Sequence, residues 1–532
     1  MTTPPTRAVC LHGHFYQPPR ENPWLDVIEP QPSAAPHRDW NARVTAECYT
    51  PLSQATLDPL HSGDPVAGLI NADFGPTLLA WLQRHRPDTY AALLAADQHS
   101  LRAFNGHGGA IAQAYNHIIL PLATPRDRRT QIVWGLRDFQ HRFGRPSSGI
   151  WLAETAVDLP TLDLLAEHGV RFTILSPHQA ARVRPSPDAP WRATPHASID
   201  PRRPYLQRLP SGRDIALFFY DPAISGDIAF GDLLDDGDRF ADRLLQGFDD
   251  RTSPQLVHVA TDGETYGHHR RRGVQALTQA LGRLQRTEGV HLTTYDQHLT
   301  RHPPTWEVQI ASPSSWSCAH GVERWRSDCG CRGRHDWHQR WRAPLRDALD
   351  YLRDALANPW RRAASRLLTD PWAARDDAIA LHHAYDDALA AQHAAQHTQD
   401  TAPPPGDRPR RIAADPELAE ARRAFFAAHG ARPLRQGEQL RALELLELQR
   451  QAMFMYTSCG WFFDEISGIE TVQVLQYAAR VAELATRLLP GGAHVADAFR
   501  ARLIAAPSNN PDFRDGRQVY DALAQAGRPG SR

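Results

Sequence analysis

The chain has 532 residues, of which 42% are hydrophobic and 22% are charged, and its 59 basic side chains nearly balance its 60 acidic ones. This length predicts a large catalytic core with at least one further region. A formal net charge of −1 gives no excess of positive charge to neutralise phosphates or anionic lipids, which argues against nucleic acid and membrane partners. No signal-type N-terminus and no apolar run of about 18 residues is present, so we expect a cytoplasmic protein.

The first 300 residues alternate short apolar runs with amphipathic helical stretches. Continuous apolar runs are typical of parallel strands covered on both faces. Strands are predicted at Ala8–His12, Ala67–Ala72, Gly149–Ala153, Arg171–Ser176, Ile215–Tyr220 and Leu256–Thr261. Helices are predicted between them at Pro76–His85, Arg126–Phe143, Leu159–His168 and Gly273–Arg286. The pattern indicates the α/β class and favours a parallel barrel.

After about residue 340 the sequence changes to Ala-, Leu- and Arg-rich stretches with helical spacing of apolar residues. Helices are predicted at Trp341–Arg366, Asp376–His393, Pro416–His429 and Gln436–Phe454. We therefore expect a catalytic barrel over residues 1–305, a Trp- and Cys-rich cleft loop over 306–345, and a helical C-terminal domain over 346–532. A Pro-rich loop is predicted near residues 397–416.

Polar side chains stand where the predicted strands end. They are His12, His14, Asp73, Glu154, Asp262 and Glu264. In (β/α) barrels the reacting groups collect at this face because the βα loops converge there. The alternative is that loops simply begin at these positions, with the acids serving as helix N-caps or ion-pair partners.

Two of these acids suit glycoside cleavage. Glu154 and Asp262 each follow a buried strand beside small or aromatic residues. One carboxylate can attack the anomeric carbon while the other protonates the departing oxygen, and both favour a positively charged transition state. Sugar rings also stack on indoles, and tryptophans flank these motifs. These tryptophans are Trp151, Trp316, Trp325, Trp337, Trp341 and Trp461.

Five segments resemble, in order, the five sequence regions of glycoside hydrolase family 57. They are CLHGHFYQPP (Cys10–Pro19), FNGHGGAIAQAYNHIILPL (Phe104–Leu122), GIWLAETAVD (Gly149–Asp158), ATDGETYGHH (Ala260–His269) and YTSCGWFFDE (Tyr456–Glu465). The resemblance covers roughly residues 8–480, and it is closest to the subgroup with a C-terminal domain called DUF3536.

The resemblance implies a distorted (β/α)7 barrel followed by a helical C-terminal domain, and retention of anomeric configuration without a metal or organic cofactor. It implies an α-glucan or oligosaccharide substrate and an amylase, branching enzyme or 4-α-glucanotransferase type of activity. Glu154 matches the family nucleophile and Asp262 the acid/base. Substrate contacts are predicted for His12, His14, Gln17, His107, Trp151, Glu264, Trp316, His320, Trp461 and Asp464.

The segment Ser314–Cys331 departs from simpler members of the family. Its Cys318, His320, Cys329 and Cys331 could form a Cys3His zinc site, since tetrahedral zinc prefers thiolate and imidazole ligands. However, a Cys-x-Cys pair is tighter than the usual Cys-x2-Cys knuckle. No metal is therefore predicted, and the cysteines are expected to be free in a Trp-lined loop where His320, Trp316 and Asp328 can touch sugar hydroxyls. A redox-active or structural cysteine pair is a further alternative.

Two other function classes remain open. A metal-dependent carbohydrate deacetylase would use His12, His14 and either Asp73 or His107 as metal ligands, with a bound water as nucleophile. This alternative leaves the two strand-end acids without roles as a pair. A non-catalytic glucan-binding protein would keep the cleft without turnover. The sequence leaves linkage, chain length and the choice between hydrolysis and transglycosylation undecided.

Overall fold

The computed structural model describes residues 7–58, 62–251, 253–395 and 407–528. The chain divides into two compact units. The first contains the chain up to Gln17, Pro30–Tyr115 and Gly135–Ser317, and the second contains Pro18–Glu29, Asn116–Trp134 and the chain from Cys318 onward. The predicted Pro-rich loop lies outside the described residues up to position 406. Over the described ranges, no helix is long and apolar enough to cross a membrane.

Parallel strands form the barrel of the first unit. In chain order they are Arg7–Phe15, Asn71–Phe74, Ala110–Gln113, Ile150–Trp151, Phe172–Leu175, Asp214–Phe219 and Gln255–Asp262. The last strand pairs with the first, and pairing continues in sequence order to Ile150–Trp151. A parallel bridge between Gly149 and Phe172 continues the ring. The amide of Asp221 donates to the His258 carbonyl at 2.8 Å and closes it. The predicted distorted (β/α)7 barrel is confirmed.

Shorter strands extend the first unit beyond the barrel. Val290–Leu292 pairs with the first strand. An extension runs outward from Asp214–Phe219. Its strands, in spatial order, are Tyr205–Arg208, Trp306–Ile310, Ala180–Arg184 and Arg192–Ala193. This extension interrupts the regular barrel, because Asp214–Phe219 belongs both to the parallel ring and to the antiparallel pairing with Tyr205–Arg208.

Every second residue of a barrel strand points into the barrel, and these inward residues change from apolar to polar toward the carboxyl ends of the strands. On the first strand Ala8 and Cys10 belong to the buried apolar cluster, so His12 and His14 continue the same face toward the carboxyl end. The last strand repeats the pattern from Leu256 onward. Apolar members of this core are Ala8, Cys10, Ile111, Trp151, Phe172, Ile174, Ala216, Phe218, Leu256, Ala260 and Leu299. The carboxyl end of the interior is consequently polar.

Helices make up most of the remaining structure. In the first 310 residues they are Trp40–Val44, Thr45–Tyr49, Thr50–Gln54, Pro76–His85, Pro87–Ala103, Pro125–Phe143, Leu159–Glu167, Pro222–Ala229, Gly237–Leu245, Gly273–Arg286 and Tyr295–Arg301. Later helices are Arg342–Ala364, Pro371–Asp377, Ile379–Ala395, Arg408–Ala414, Ala419–His429, Gln436–Phe454, Cys459–Phe462, Ile469–Leu488, Gly492–Arg502, Gly516–Val519 and Tyr520–Ala524. The described part of the chain has no strand after Ile310, which confirms the predicted helical C-terminal region.

Among the barrel strands, one prediction was displaced and one strand was missed, and the five shorter strands outside the barrel were not predicted either. The prediction Ala67–Ala72 is wrong at its start, because a helical turn occupies Val66–Gly68 and the strand is Asn71–Phe74. Continuous apolar sequence does not distinguish a buried turn from a buried strand. The strand Ala110–Gln113 was not predicted. Its four residues offer too short an apolar run to stand out.

Candidate active site

The backbone at Glu154 is held in an unusual conformation directly after the strand Ile150–Trp151. Glu154 has φ 57° and ψ 23°, and the next residue, Thr155, also has a positive φ of 51°. Left-handed backbone is costly for residues other than glycine, and especially for a β-branched threonine. The side chain of Gln179 accepts a hydrogen bond from the Thr155 hydroxyl and donates one to its carbonyl. The fold thus spends stability to hold Glu154 in this conformation.

The carboxyl of Glu154 is anchored through one oxygen. Its Oε2 accepts hydrogen bonds from the Trp316 indole N–H at 3.0 Å and the Ser317 hydroxyl at 2.6 Å. The Trp316 amide also donates to the Glu154 carbonyl at 3.0 Å. Hydrogen bonds to a charged acceptor are stronger than neutral ones and fix its orientation. Glu154 is therefore oriented through Oε2, and no hydrogen bond to its Oε1 occurs among the described residues.

Asp262 ends the last barrel strand and presents an exposed carboxyl. The following turn packs closely on Phe15, since a Cβ on Gly263 would stand 2.3 Å from that ring. Neighbouring protein atoms nevertheless limit the solvation of this exposed carboxyl. This desolvation, opposed by His14 and assisted by Glu154, raises the pKa of Asp262 to about 6. Asp262 can therefore hold a proton under mildly acidic conditions.

Neither Glu154 nor Asp262 serves as a helix N-cap, which was the alternative interpretation of these acids. Asp262 precedes a short helical turn but its side chain makes no capping hydrogen bond. The acids that do cap helices after strands are Asp158 and Asp221. Within the described chain, neither Glu154 nor Asp262 has an ion-pair partner.

A buried charge pair lies on the neighbouring strands. Asp73 accepts from His12 Nε2 at 2.9 Å and is paired with His14 Nδ1 at 2.8 Å. Burial alone would lower the pKa of His14, but the charge and hydrogen bond of Asp73, with the charges of Asp262 and Glu264, raise it to about 9. Burial lowers the pKa of His12 despite Asp73. His14 is thus the cation of the site and His12 is neutral.

Gln113 completes this group and was missed by the sequence analysis. Its amide Nε2 donates to Asp73 at 2.6 Å and lies 3.2 Å from His14 Nδ1. Gln113 stands two residues beyond Ile111, a core residue, so the period of the strand places it on the inward face. Recognition of the strand Ala110–Gln113 would have revealed it.

The two tryptophans near the acids have different positions. Trp151 is fully buried, and its ring stacks on His12 and His14 at centroid distances of 4.9 and 5.0 Å. The expectation that Trp151 contacts substrate is therefore corrected, because no ring face is open to a sugar. Trp316 is partly exposed, lies edge-on to Trp151 at 5.2 Å and contacts Glu154. The partly exposed indole of Trp316 can stack on a sugar ring.

Glu264 and Gln17 are buried beside the site. Oε1 of Glu264 accepts hydrogen bonds from the Tyr16 amide at 2.9 Å and from the Tyr49 hydroxyl. Burial, assisted by the charge of Asp262, raises the pKa of Glu264 to about 7. Gln17 hydrogen-bonds to the same Tyr49. Tyr49 was not predicted, because no strand or family segment marks it in the sequence.

His107 lies at the other end of the barrel. It precedes the strand Ala110–Gln113, and its Nδ1 is paired with Asp296 Oδ2 at 2.6 Å. Asp296 also binds Arg171, which immediately precedes another strand. The prediction that His107 contacts substrate is corrected, since residues before parallel strands lie at the opposite face from residues after them.

Three predicted substrate contacts belong to the second unit. Trp461 is fully buried there and stacks on Tyr456 at 6.3 Å. Asp464 is buried, and its Oδ2 accepts the amides of Gly333 and Arg334 at 2.7 and 2.8 Å. Its carboxylate therefore organises a loop of its own unit. His320 is exposed and lies among three cysteines.

Of the residues named for the deacetylase alternative, His12, His14 and Asp73 come together, but as a hydrogen-bonded group and not as a metal-capable cluster. His12 and His14 direct one nitrogen each at a different oxygen of Asp73, which is a hydrogen-bonded arrangement. His107 lies at the far end of the barrel. In the described residues, the metal-capable cluster of three or more side chains is Cys318, His320, Cys329 and Cys331.

A parallel barrel with carboxyl groups at the carboxyl ends of its strands, and a partly exposed indole beside one of them, fits the carbohydrate-active class of enzyme. Residues 42–311 match the family described as glycosyl hydrolase family 57, and residues 337–405 and 411–529 match a domain of unknown function, DUF3536. The chain belongs to glycosyl hydrolase family 57. Both parts of the resemblance seen in the sequence are confirmed.

One protein relative is α-amylase 1 of Dictyoglomus thermophilum. It is 26% identical over 106 residues, which are 20% of this chain and 15% of the amylase. The chain thus matches about 15% of the length of this relative.

Solved structures resemble the chain over most of its length. An exo-type maltose-forming amylase from Pyrococcus sp. ST04 has a TM-score of 0.67 at 13% identity, covering 98% of this chain and 92% of that one. A branching enzyme from Pyrococcus horikoshii has a TM-score of 0.53 at 13% identity, covering 98% and 94%. The 4-α-glucanotransferase of Thermococcus litoralis has a TM-score of 0.53 at 13% identity, covering 91% of this chain and 60% of that one. At these identities the likeness concerns the fold.

Proposed function

We propose that this protein cleaves α-glucan with retention of anomeric configuration, with Glu154 as nucleophile and Asp262 as general acid and base. The observation that carries the proposal is the contrast between the two carboxyl environments. Glu154 receives two hydrogen-bond donors on Oε2, which suits a charged oxygen. Surrounding protein raises the pKa of Asp262 to about 6, which suits a proton donor. Two carboxyl groups set to different protonation states are the requirement of this chemistry.

The first step forms a covalent glycosyl-enzyme. A carboxylate oxygen of Glu154 attacks the anomeric carbon, the bond to the leaving sugar breaks, and Asp262 transfers its proton to the leaving oxygen. In the second step Asp262 takes a proton from water or from an acceptor hydroxyl. That oxygen attacks the anomeric carbon and releases Glu154. Water gives hydrolysis, and a sugar hydroxyl gives transglycosylation.

The charges around the acids favour the transition state. The site holds ionised Asp73 against one cation, His14, while His12 is neutral and Asp262 and Glu264 titrate near neutrality. The local charge is therefore balanced or negative throughout the working range. An oxocarbenium-like centre is stabilised by such surroundings.

The α-glucan substrate rests on family membership and on the kinds of relative that share the fold, which include amylases, a branching enzyme and a glucanotransferase. Trp316 supplies an aromatic face beside Glu154 for a glucose ring. We also propose a cytoplasmic location, and the substrate would then be intracellular glucan.

The test compares the wild type with Glu154→Gln and Asp262→Asn on maltoheptaose and amylose, with the anomeric form of the products followed by NMR. Wild type is expected to give α products, and each variant to lose at least about 10³-fold in kcat. Longer products would indicate transglycosylation. Asp221→Asn is the matched control, because this acid also follows a barrel strand but caps a helix, and asparagine caps equally well.

Azide separates the two roles. With an aryl α-glucoside, Glu154→Ala plus azide is expected to give the β-glycosyl azide, because azide replaces the missing nucleophile. Asp262→Ala plus azide is expected to give the α azide, because azide attacks the covalent intermediate. Inverted products from wild type, or full activity of either carboxyl variant, would contradict the proposal. Binding of glucan without turnover by all proteins would support a glucan-binding function instead.

A further inference from the structure

Four potential metal ligands converge at the start of the second unit. They are Cys318, His320, Cys329 and Cys331, with one ligand atom from each lying within 4.8 Å of the others. All six cysteines of the chain are free thiols in the structure. The proposed glycosidase chemistry uses none of these side chains, so the cluster requires a separate explanation.

The distances fit a tetrahedral ion. Zinc lies about 2.3 Å from thiolate sulfur and about 2.0–2.1 Å from imidazole nitrogen, which at tetrahedral angles separates two sulfurs by about 3.8 Å and sulfur from nitrogen by about 3.5 Å. Sγ of Cys331 lies 3.8 Å from Sγ of Cys318 and 3.6 Å from Nδ1 of His320. A disulfide would require about 2.05 Å between sulfurs. The cluster therefore matches ligands around a central ion.

The backbone explains how such closely spaced ligands can converge. Gly330 lies between Cys329 and Cys331 and has φ 85°, a left-handed conformation that glycine adopts without strain. This turn brings both sulfurs to one side, which removes the objection that a Cys-x-Cys pair is too tight. In the segment that carries Cys318 and His320, Gly321 has φ 83°. Its amide donates a hydrogen bond to the Cys318 carbonyl at 3.2 Å and closes a turn.

Amide hydrogen bonds surround the sulfurs. The Ala319 amide donates to Cys331 Sγ, and the Cys331 amide donates to Cys329 Sγ. Such donors offset the negative charge that three thiolates bring to one ion, and outer partners of this kind orient the ligands.

The loop is also tied to the helical unit around it. The carbonyl of Cys331 accepts from Gln339 Nε2 at 2.9 Å, and the same amide donates to Asp464 Oδ1 at 3.0 Å. Asp464 in turn accepts the amides of Gly333 and Arg334. The ligand loop is thus held in place by hydrogen bonds within its own unit.

We propose that Cys318, His320, Cys329 and Cys331 bind one structural Zn²⁺ in the second unit. A Cys3His set fills the four positions of tetrahedral zinc and leaves none for water or substrate, so the ion is structural and not catalytic. This proposal replaces the expectation from the sequence that the cysteines are free and that His320 binds sugar. It is independent of the glycosidase assignment.

The first test measures zinc in the intact protein purified without chelators, by mass spectrometry of the metal. About one zinc per chain is expected for the wild type, with Cys318→Ser and Cys331→Ser each retaining little. Cys459→Ser is the matched control, because Cys459 belongs to the same unit but not to the cluster; it should retain the full zinc content. Metal-free wild type grown with added zinc would overturn the proposal.

The second test uses wild type alone, so it does not depend on the folding of variants. Exchange of zinc for Co²⁺ should give the intense visible bands of tetrahedral cobalt and the near-ultraviolet bands of sulfur ligation. Titration with a mercurial reagent should release zinc as the thiols are consumed. A weak octahedral cobalt spectrum, or a mass lower by two hydrogens from a Cys318–Cys331 disulfide, would contradict a zinc site.

Discussion

Nδ1 of His14 lies 2.8 Å from Oδ2 of Asp73, and the pair is buried between two neighbouring barrel strands. In the register of the strands His14 also stands directly opposite Asp262. The charge that Asp73 maintains on His14 therefore acts on the proposed proton donor, whose pKa it lowers against the effect of desolvation. Asp73 sets the protonation of the site without having to touch the substrate.

Removal of this carboxylate should neutralise His14. In Asp73→Asn we expect the pKa of His14 to fall from about 9, since burial lowers it and its main counter-charge is gone. We also expect kcat/KM to fall about 10²-fold, the scale of a misplaced catalytic group. Histidine NMR titration measures the first effect and steady-state kinetics the second.

Asp296→Asn is the control for this substitution. Asp296 pairs with His107 at 2.6 Å, so the same change is made at a carboxyl–histidine pair at the other end of the barrel. Its activity should stay near that of the wild type. An Asp73→Asn enzyme with an unchanged His14 titration would refute the role assigned to Asp73.

The pH profile should report Asp262 in its protonated form. Because the donor must carry a proton to assist the leaving group, kcat/KM is expected to decline as pH rises through about 6. His14→Asn removes the neighbouring cation, so the carboxylate of Asp262 loses stabilisation and the decline should move to higher pH. An aryl glycoside with a good leaving group needs no proton from the enzyme. With this substrate the rate of glycosyl-enzyme formation should not decline as pH rises through about 6. Persistence of the same limb would mean that another group causes it.

The two donors to Glu154 can be removed separately. Ser317→Ala deletes the 2.6 Å hydrogen bond and Trp316→Phe deletes the 3.0 Å one while keeping an aromatic ring. A hydrogen bond to a charged group contributes about 1.5–3 kcal/mol, so each variant should lose about 10- to 100-fold in kcat. The double variant should lose less than the product of the two single effects if both donors orient the same oxygen. Single-turnover kinetics measures the step. Wild-type rates in both variants would show that Oε2 needs no orientation.

Sequence predicted the strand-end acids and the barrel because both follow from short-range patterns. Continuous apolar runs mark buried strands, and the polar residue after each run lies at the carboxyl end. Gln113 escaped because its strand is four residues long. Tyr49 escaped because its contact with Glu264 joins residues far apart in the chain, and no local pattern records such a contact.

Predictions failed where a residue in a family segment was assigned to the site without regard to its place on the strand or the direction of its side chain. His107 lies in a family segment, but it precedes its strand and therefore faces the opposite end of the barrel. Trp151 is at the end of a strand, yet its inward position buries it against His12 and His14. The Cys3His cluster depended on the left-handed turn at Gly330, which spacing alone does not reveal.

Glu264 should make the folded state less stable as pH rises. Burial raises its pKa in the folded protein to about 7, whereas an unfolded glutamate titrates near about 4.3. Between these values the folded state binds more protons, so the free energy of unfolding falls across this window and stays lower above it. Glu264→Gln removes this titration, and its amide oxygen can still accept from Tyr16 and Tyr49. We expect the variant to match the wild type near pH 4 and to be more stable at pH 8, by up to roughly 3 kcal/mol. Denaturant unfolding at both pH values measures the difference.

Glu438→Gln is the control of opposite sign, since the Arg432 hydrogen bond lowers the pKa of Glu438 to about 2. The stability that ionised Glu438 contributes is lost as pH falls. A stability difference between wild type and Glu264→Gln that does not change with pH would mean that Glu264 is ionised at the same pH in the folded and unfolded protein.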